Sequence, residues 1–174
     1  MKTTWTINNL TRAETTDFQS QLYELLIDSV SSGASVGFLP PLAEVDAMNY
    51  WQDVIKDLDS GKRILLVAQE DGEVFGTVQL ELATKQNAKH RAEIQKLMVH
   101  TRHRNKGIAK ALMAEVENIA RAKEITLLVL DTVQGDTAEK LYEKWGYIRV
   151  GVIPNFAKWI NDELYGTVVF YKCL

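Results

Sequence analysis

Apolar residues recur at helical spacing early in the chain, where Phe18, Leu22, Leu25, Leu26 and Val30 share one face. That pattern predicts a helix over Thr15–Ser31, stopping near Ser32-Gly33. Leu42, Val45, Met48, Trp51, Val54, Ile55 and Leu58 form a second helical face, predicting a helix from Pro41 to about Asp59. Between them, GASVGFLPP (33–41) reads as a loop, with two glycines and two prolines. Arg63–Gln69 and Glu73–Leu82 then flank EDGE (70–73), and Asp71-Gly72 suits the positive φ of a tight hairpin turn. His90–Val99 reads as a further strand. Ile108, Leu112, Val116, Ile119 and Ala120 make Gly107–Lys123 an amphipathic helix. ITLLVL (125–130) is a continuous apolar run that suits a strand buried on both faces. Asp136–Trp145 reads as a shorter helix ended by Gly146. Thr3–Ile7, Tyr147–Ile153 and Thr167–Cys173 complete the set as strands.

The order is β-α-α-β-β-β-α-β-α-β-β. It predicts a mixed α/β (α+β) layer protein with one central sheet. The strand-helix-strand run over 91–130 calls for two parallel strands joined by a right-handed crossover. A length of 174 residues suits one domain, 1–174, large enough to bury a core without staples.

Charge narrows the function. The net charge of −3 argues against a general nucleic-acid or anionic-membrane surface, so any positive site is local. Cys173 is the single cysteine, which excludes an internal disulfide and a cysteine metal site. His90, His100 and His103 form no helix-spaced metal pair, so no metal is expected. MKTTWTINNL has no signal-like apolar core and no apolar run reaches the length of a membrane span, which predicts a cytoplasmic protein.

Positive charge does concentrate in RHRNKGIAKAL (102–112). The stretch lies between a strand and a helix. The first N–H groups of a helix lack internal partners and carry the positive end of its dipole, so an anion fits there. Gly107 allows close backbone approach. The phosphate-loop pattern GxxxxGK[ST] and the dinucleotide pattern GxGxxG are both absent. What remains is Arg104-Asn105-Lys106-Gly107-Ile108-Ala109, the pattern R/Q-x-x-G-x-G/A. Taken alone, it reads more readily as a basic turn leading into a helix than as an anion site.

Its neighbours decide more. A strand ending Leu97-Met98-Val99 precedes it, and ITLLVLD and AEKLYEKWGY (138–147) follow. In this order the chain resembles the GNAT superfamily of acetyl-coenzyme A-dependent acetyltransferases, most clearly over residues 63–153. The resemblance implies a GNAT fold: a mixed, mostly antiparallel sheet of about seven strands with helices on both faces. It implies that Arg104 to Ala109 hold the pyrophosphate of acetyl-CoA. It also implies that Leu97, Met98 and Val99, on a strand splayed from its parallel neighbour, offer backbone groups to the pantetheine arm. Arg104, Lys106 and the backbone at Asn105 and Gly107–Ala109 carry that assignment, with Arg102 and Lys110 as bystanders. GASVGF, RAEIQKLMV, LDT, YIRVG and the final FYKCL resemble the tabtoxin-resistance type within that superfamily, which acetylates the amino group of a small amino-acid-like β-lactam.

Three residues are candidates for catalysis. Tyr142, by its own pattern a core aromatic on an amphipathic helix, matches the family tyrosine that protonates the coenzyme sulfur. Asp131 ends the apolar strand and is open to two readings: a group that binds or deprotonates the substrate ammonium, directly or through water, or a helix cap or loop carboxylate. Glu93 matches a catalytic-base glutamate of GNAT histone acetyltransferases, or is a surface acid paired with Arg91 or Lys96. Strand alternation places Glu93, Gln95, Leu97 and Val99 on one face. Gly135 stands where many family members have asparagine, which leaves Asp136 or Thr137 to cap the helix.

The resulting expectation is N-acetylation of a small-molecule primary amine by direct attack. The alternatives are a protein N-acetyltransferase and a non-catalytic acyl-CoA sensor. GASVGFLPP and NFAKWINDELYG (155–166) are expected to set substrate choice. Trp51, Phe38, Trp145, Phe156 and Trp159 divide between pocket lining and core packing. The closer resemblance and the strand-forming C-terminus point to a homodimer.

Overall fold

The computed structural model describes residues 4–159 and 162–174. A strand, β1 (Thr6–Asn9), leads into α1 (Arg12–Asp17), α2 (Gln19–Ser31) and α3 (Glu44–Asp59). Three strands follow, β2 (Arg63–Glu70), β3 (Glu73–Leu82) and β4 (Arg91–Val99), then α4 (Ile108–Ala122). The chain closes with β5 (Leu127–Val133), α5 (Thr137–Lys144), β6 (Ile148–Lys158) and β7 (Leu164–Cys173). One seven-stranded sheet runs β1-β2-β3-β4-β5-β7-β6. Its neighbours are antiparallel except β4 and β5, which are parallel as the strand-helix-strand pattern requires.

Helices cover both faces. Ile108, Leu112, Met113 and Val116 of α4 and Tyr142 of α5 pack with Phe75, Val78 and Leu80 on one side. Leu22, Leu25 and Leu26 of α2 and Trp51 and Val54 of α3 pack with Leu65 and Val67 on the other. Burial of each such side chain contributes about 1.5–3 kcal/mol. Among the described residues no helix is long and apolar enough to cross a membrane.

Several boundaries differ from the pattern-based expectation, each for a local reason. The first helix begins at Arg12, because Thr11 and Glu14 form a capping box ahead of the apolar face. It breaks at Phe18, whose ψ of 4° separates α1 from α2. Pro41 lies outside α3, which starts after an extended Ala43. β1 begins at Thr6, and Thr3 lies outside the described residues.

The run ITLLVL is not buried on both faces. Leu128 and Leu130 are in the core, whereas Leu127 and Val129 are half-buried. The strand also continues to Val133, pairing with β7 as far as Val133↔Thr167, so Asp131 sits inside it rather than at its end. Of residues 155–166, 155–158 and 164–166 lie in the arms of the β6–β7 hairpin instead of a loop; Ile160 and Asn161 lie outside the described residues.

Candidate active site

The site begins where the sheet opens. β4 and β5 pair only at Arg91–Glu93 with Leu127–Val129. Beyond Glu93 the two strands separate, leaving the Leu97–Val99 half of β4 without a partner on that side. A bulge sits in the same half: Lys96 has φ 50°, and the β3–β4 register shifts between Thr77 and Gln79. Thr77 Oγ1 donates to the Lys96 carbonyl at 3.0 Å and holds the bulge.

The bulge overturns the expected alternation along β4. Ala92 and Ile94 join the α4 side of the core, and Leu97 and Val99 pack against that same side. Met98 turns to the α2/α3 side. Glu93 and Gln95 therefore do not share a face with Leu97 and Val99: one extra residue reverses the parity of a strand.

Two cavities border the split. The larger, about 540 Å³, is lined by Leu97, Met98 and Val99 of β4, by Arg104, Asn105, Gly107, Ile108, Ala109 and Lys110, and by Ser29, Ser32 and Trp145. Gly107 is the N-cap of α4 in the left-handed region (φ 79°), and no side chain caps that helix. The first N–H groups of α4 are thus open to an anion, with a positive dipole end behind them. Asn105 is also left-handed (φ 62°). Arg104 donates from Nε to the Val99 carbonyl at 3.1 Å and from Nη2 to Ser32 Oγ at 2.6 Å, tying the loop to β4 and α2. The basic residues sort differently from expectation, since Lys110 lines this groove whereas Lys106 is not among its lining residues. Helical direction explains it: Lys110 lies in the first turn of α4, and Lys106 precedes the cap. His103 lines the groove and stacks on Phe75 at 4.4 Å between ring centroids. Burial, then Lys106, lowers its pKa and favours the neutral ring.

The smaller cavity, about 350 Å³, is walled by the Ala34–Gly37 loop, by Glu93–Leu97 of β4 and by Asp131–Val133 of β5. Phe156, Ala157, Gly166 and Thr167 of the β6–β7 hairpin close it. Asp131 Oδ2 accepts a 2.6 Å hydrogen bond from Thr167 Oγ1. Glu93 Oε1 accepts one from Gln95 Nε2 at 2.9 Å. Asp131 and Glu93 therefore share one cavity. Trp51 is fully buried core, whereas Phe156 lines this cavity and Trp145 the other.

The cavities meet. Ala34, Leu97, Asp136, Ala138 and Tyr142 line both. Tyr142 is 7% exposed, and its hydroxyl has no hydrogen-bond partner among the described residues. Burial, followed by the charges of Asp131 and Asp136, pushes its pKa well above the usual tyrosine value. The phenol stays protonated and is free to donate. Asp136 caps α5 by accepting from the Thr137 N–H, and Gly135 (φ 86°) donates its N–H to Glu139 Oε2 at 2.8 Å. Sequence reasoning missed Thr167 and Lys96 as cavity residues. Thr167 carries no local signal, because its contact with Asp131 spans 36 positions.

Known proteins arrange themselves around this geometry. The profile of the Acetyltransferase (GNAT) family matches residues 21–147. The chain is 33% identical over 111 residues to an L-amino acid N-acetyltransferase of Escherichia coli, covering 62% of this chain and 65% of that protein. An uncharacterized N-acetyltransferase of Azospirillum brasilense is 33% identical over 106 residues, 60% of this chain and 61% of that one. The match thus spans just under two thirds of each of these relatives. Among solved structures, a ribosomal-protein-alanine N-acetyltransferase of Brucella melitensis superposes with a TM-score of 0.79 at 20% identity over 97% of this chain and 99% of that one. An acetyltransferase of Salmonella typhimurium, solved with its cofactor acetyl-CoA, gives 0.77 at 16% identity over 99% and 95%. The chain belongs to the GNAT family of acetyltransferases.

Proposed function

We propose that this chain is an acetyl-CoA-dependent N-acetyltransferase acting on the primary amine of a small, amino-acid-like molecule. The observation that carries this is the meeting of two cavities at Leu97 and Tyr142. A groove at a bare helix N-terminus adjoins an acidic cavity, and a protonated phenol stands where they join.

The residues present fit the cosubstrate. The uncapped N-terminus of α4, with Gly107 and Asn105 in left-handed conformations, suits a pyrophosphate, and Arg104 and Lys110 add positive charge. The Leu97–Val99 half of β4, without a strand partner on the β5 side, suits an amide-containing arm. When bound, acetyl-CoA supplies the activated acetyl group. Asp131, fixed by Thr167, holds the incoming ammonium and takes its proton, directly or through water. Glu93 is the second acceptor for that proton. Tyr142 donates to the sulfur as the carbon–sulfur bond breaks. The amine nitrogen would add directly to the thioester carbonyl and coenzyme A would leave as the thiol, so no enzyme-bound acetyl group is required. Alignment of two bound reactants supplies much of the rate.

The name of the Escherichia coli relative supports an amino-acid acceptor. The LDT and GASVGF segments support the toxin-modifying branch, and with it a role in resistance inside the cytoplasm. We take the 174 residues as one domain. Exposed Ile148, Val150, Ile153 and Phe156 on the edge strand β6 support a homodimer formed there.

Isothermal titration with acetyl-CoA tests the coenzyme half of this reading. The wild-type protein binds, and Arg104→Ala, which unties the loop from Val99 and Ser32, binds about tenfold more weakly. Absence of binding by the wild type overturns it.

A further inference from the structure

The smaller cavity has a charge pattern that acetylation of a simple amine does not need. Glu93, Asp131 and Asp136 line it together with Lys96, the one cationic side chain in its wall among the described residues. Lys96 is half-buried, yet its ammonium makes no hydrogen bond or ion pair with any described residue. It rests over the Tyr50 ring at 5.4 Å, and a Cβ placed on Gly37 would lie 3.7 Å from it. The β4 bulge, held by Thr77, turns this side chain toward α3 and the Ala34–Gly37 loop. A half-buried cation is ordinarily paired. Here the cavity is left to supply the partner.

We propose that Lys96 is the anchor for a carboxylate on the acceptor, so that the site selects amino acids over simple amines. The proposal rests on the acetyltransferase reading and names the specificity residue within it. The ammonium of a zwitterion faces Asp131, and its carboxylate faces Lys96. A single ammonium matches the single charge of a carboxylate. A volume of about 350 Å³ suits a small ligand.

The groups facing Lys96 agree with this arrangement. Burial first, and then Arg63 of β2, lower its pKa; Asp131, Glu93 and Glu81 oppose that shift, and Tyr50 of α3 lies beneath it. A bound carboxylate restores the charged form. Carboxylate recognition therefore weakens as pH rises through the Lys96 titration.

The test compares each proteinogenic L-amino acid with its α-carboxamide by kcat/KM, for wild type, K96M and K96R. The amide has the more readily deprotonated amine, so intrinsic reactivity favours it. The expected wild-type preference is nonetheless for the acid, by about tenfold or more. That ratio falls to one or below in K96M and is largely recovered in K96R. The wild-type ratio alone is decisive should K96M fail to fold. Equal use of acids and amides, or an unchanged ratio in K96M, overturns the carboxylate anchor while leaving the acetyltransferase reading intact. Binding of acetyl-CoA with neither member of any pair acetylated overturns the anchor, and the acetyltransferase reading then falls only if a wider amine panel also yields no product.

Discussion

The Thr167 hydroxyl lies 2.6 Å from Asp131 Oδ2 and 2.9 Å from the Thr132 carbonyl, on neighbouring strands β7 and β5. One hydroxyl proton serves one acceptor at a time, and a carboxylate attracts it more strongly than a carbonyl. Thr167 therefore orients the carboxylate that faces the acceptor cavity.

Thr167→Val keeps the shape and removes the donor. The expected result is a loss of about tenfold in kcat/KM with acetyl-CoA affinity unchanged, measured by steady-state kinetics and titration. An unchanged kcat/KM would leave Asp131 without a positioning partner.

Tyr142→Phe removes the phenol at the junction of the two cavities. Turnover is expected to drop about a hundredfold, while the Kd for acetyl-CoA stays within about twofold. Because burial and the nearby Asp131 and Asp136 raise the Tyr142 pKa, its hydroxyl stays protonated through the neutral range. The pH–rate profile then has no falling limb from this residue below about pH 10. Equal turnover by the variant would take Tyr142 out of the chemistry.

The same burial sets an alkaline limit on stability. Tyr50 is pushed up to about 12, and Tyr142 and Tyr147 are also raised, in each case chiefly by burial. Above about pH 10 the unfolded chain releases these protons and the folded one retains them, so stability is full below that point and declines as pH rises through the folded values. The slope is about 1.4 kcal/mol per pH unit for each such tyrosine. Thermal melts at pH 9, 10 and 11 should show a Tm that falls over the last interval and falls less in Tyr50→Phe.

Lys172 binds both oxygens of Glu117 at 2.8 Å and the Trp145 carbonyl at 2.8 Å, while Tyr147 donates to Glu117 at 3.1 Å. This cluster joins α4, β7 and the end of α5 behind Tyr142. Lys172→Met leaves Glu117 with only the Tyr147 hydroxyl and the Arg121 guanidinium at 3.5 Å, at a cost of about 1–3 kcal/mol. That corresponds to a fall in Tm of roughly 5 °C, read by calorimetry. Glu117→Gln combined with Lys172→Met is expected to recover part of it.

Much of this architecture is legible in the residues themselves. The Asp71-Gly72 turn, the α4 face of Ile108, Leu112 and Val116 and the Gly107 cap are short-range features, written within a few residues of where they act. Three features were not legible. The Lys96 bulge depends on register against β3, and it reversed the facing of Leu97 and Val99. The Asp131–Thr167 bond depends on two strands meeting from distant parts of the chain. The exchange of Lys106 for Lys110 at the groove depends on where the first turn of α4 points. Each is a tertiary relationship with no periodic signature.

The most direct measurement is release of coenzyme A thiol across a panel of amino acids and amines, with mass spectrometry of the acceptor. The account predicts thiol release matched one for one by a product carrying an acetyl group on its amine nitrogen, strongly reduced in Tyr142→Phe. Stoichiometric binding of acetyl-CoA with no acetylated product from any acceptor would contradict it.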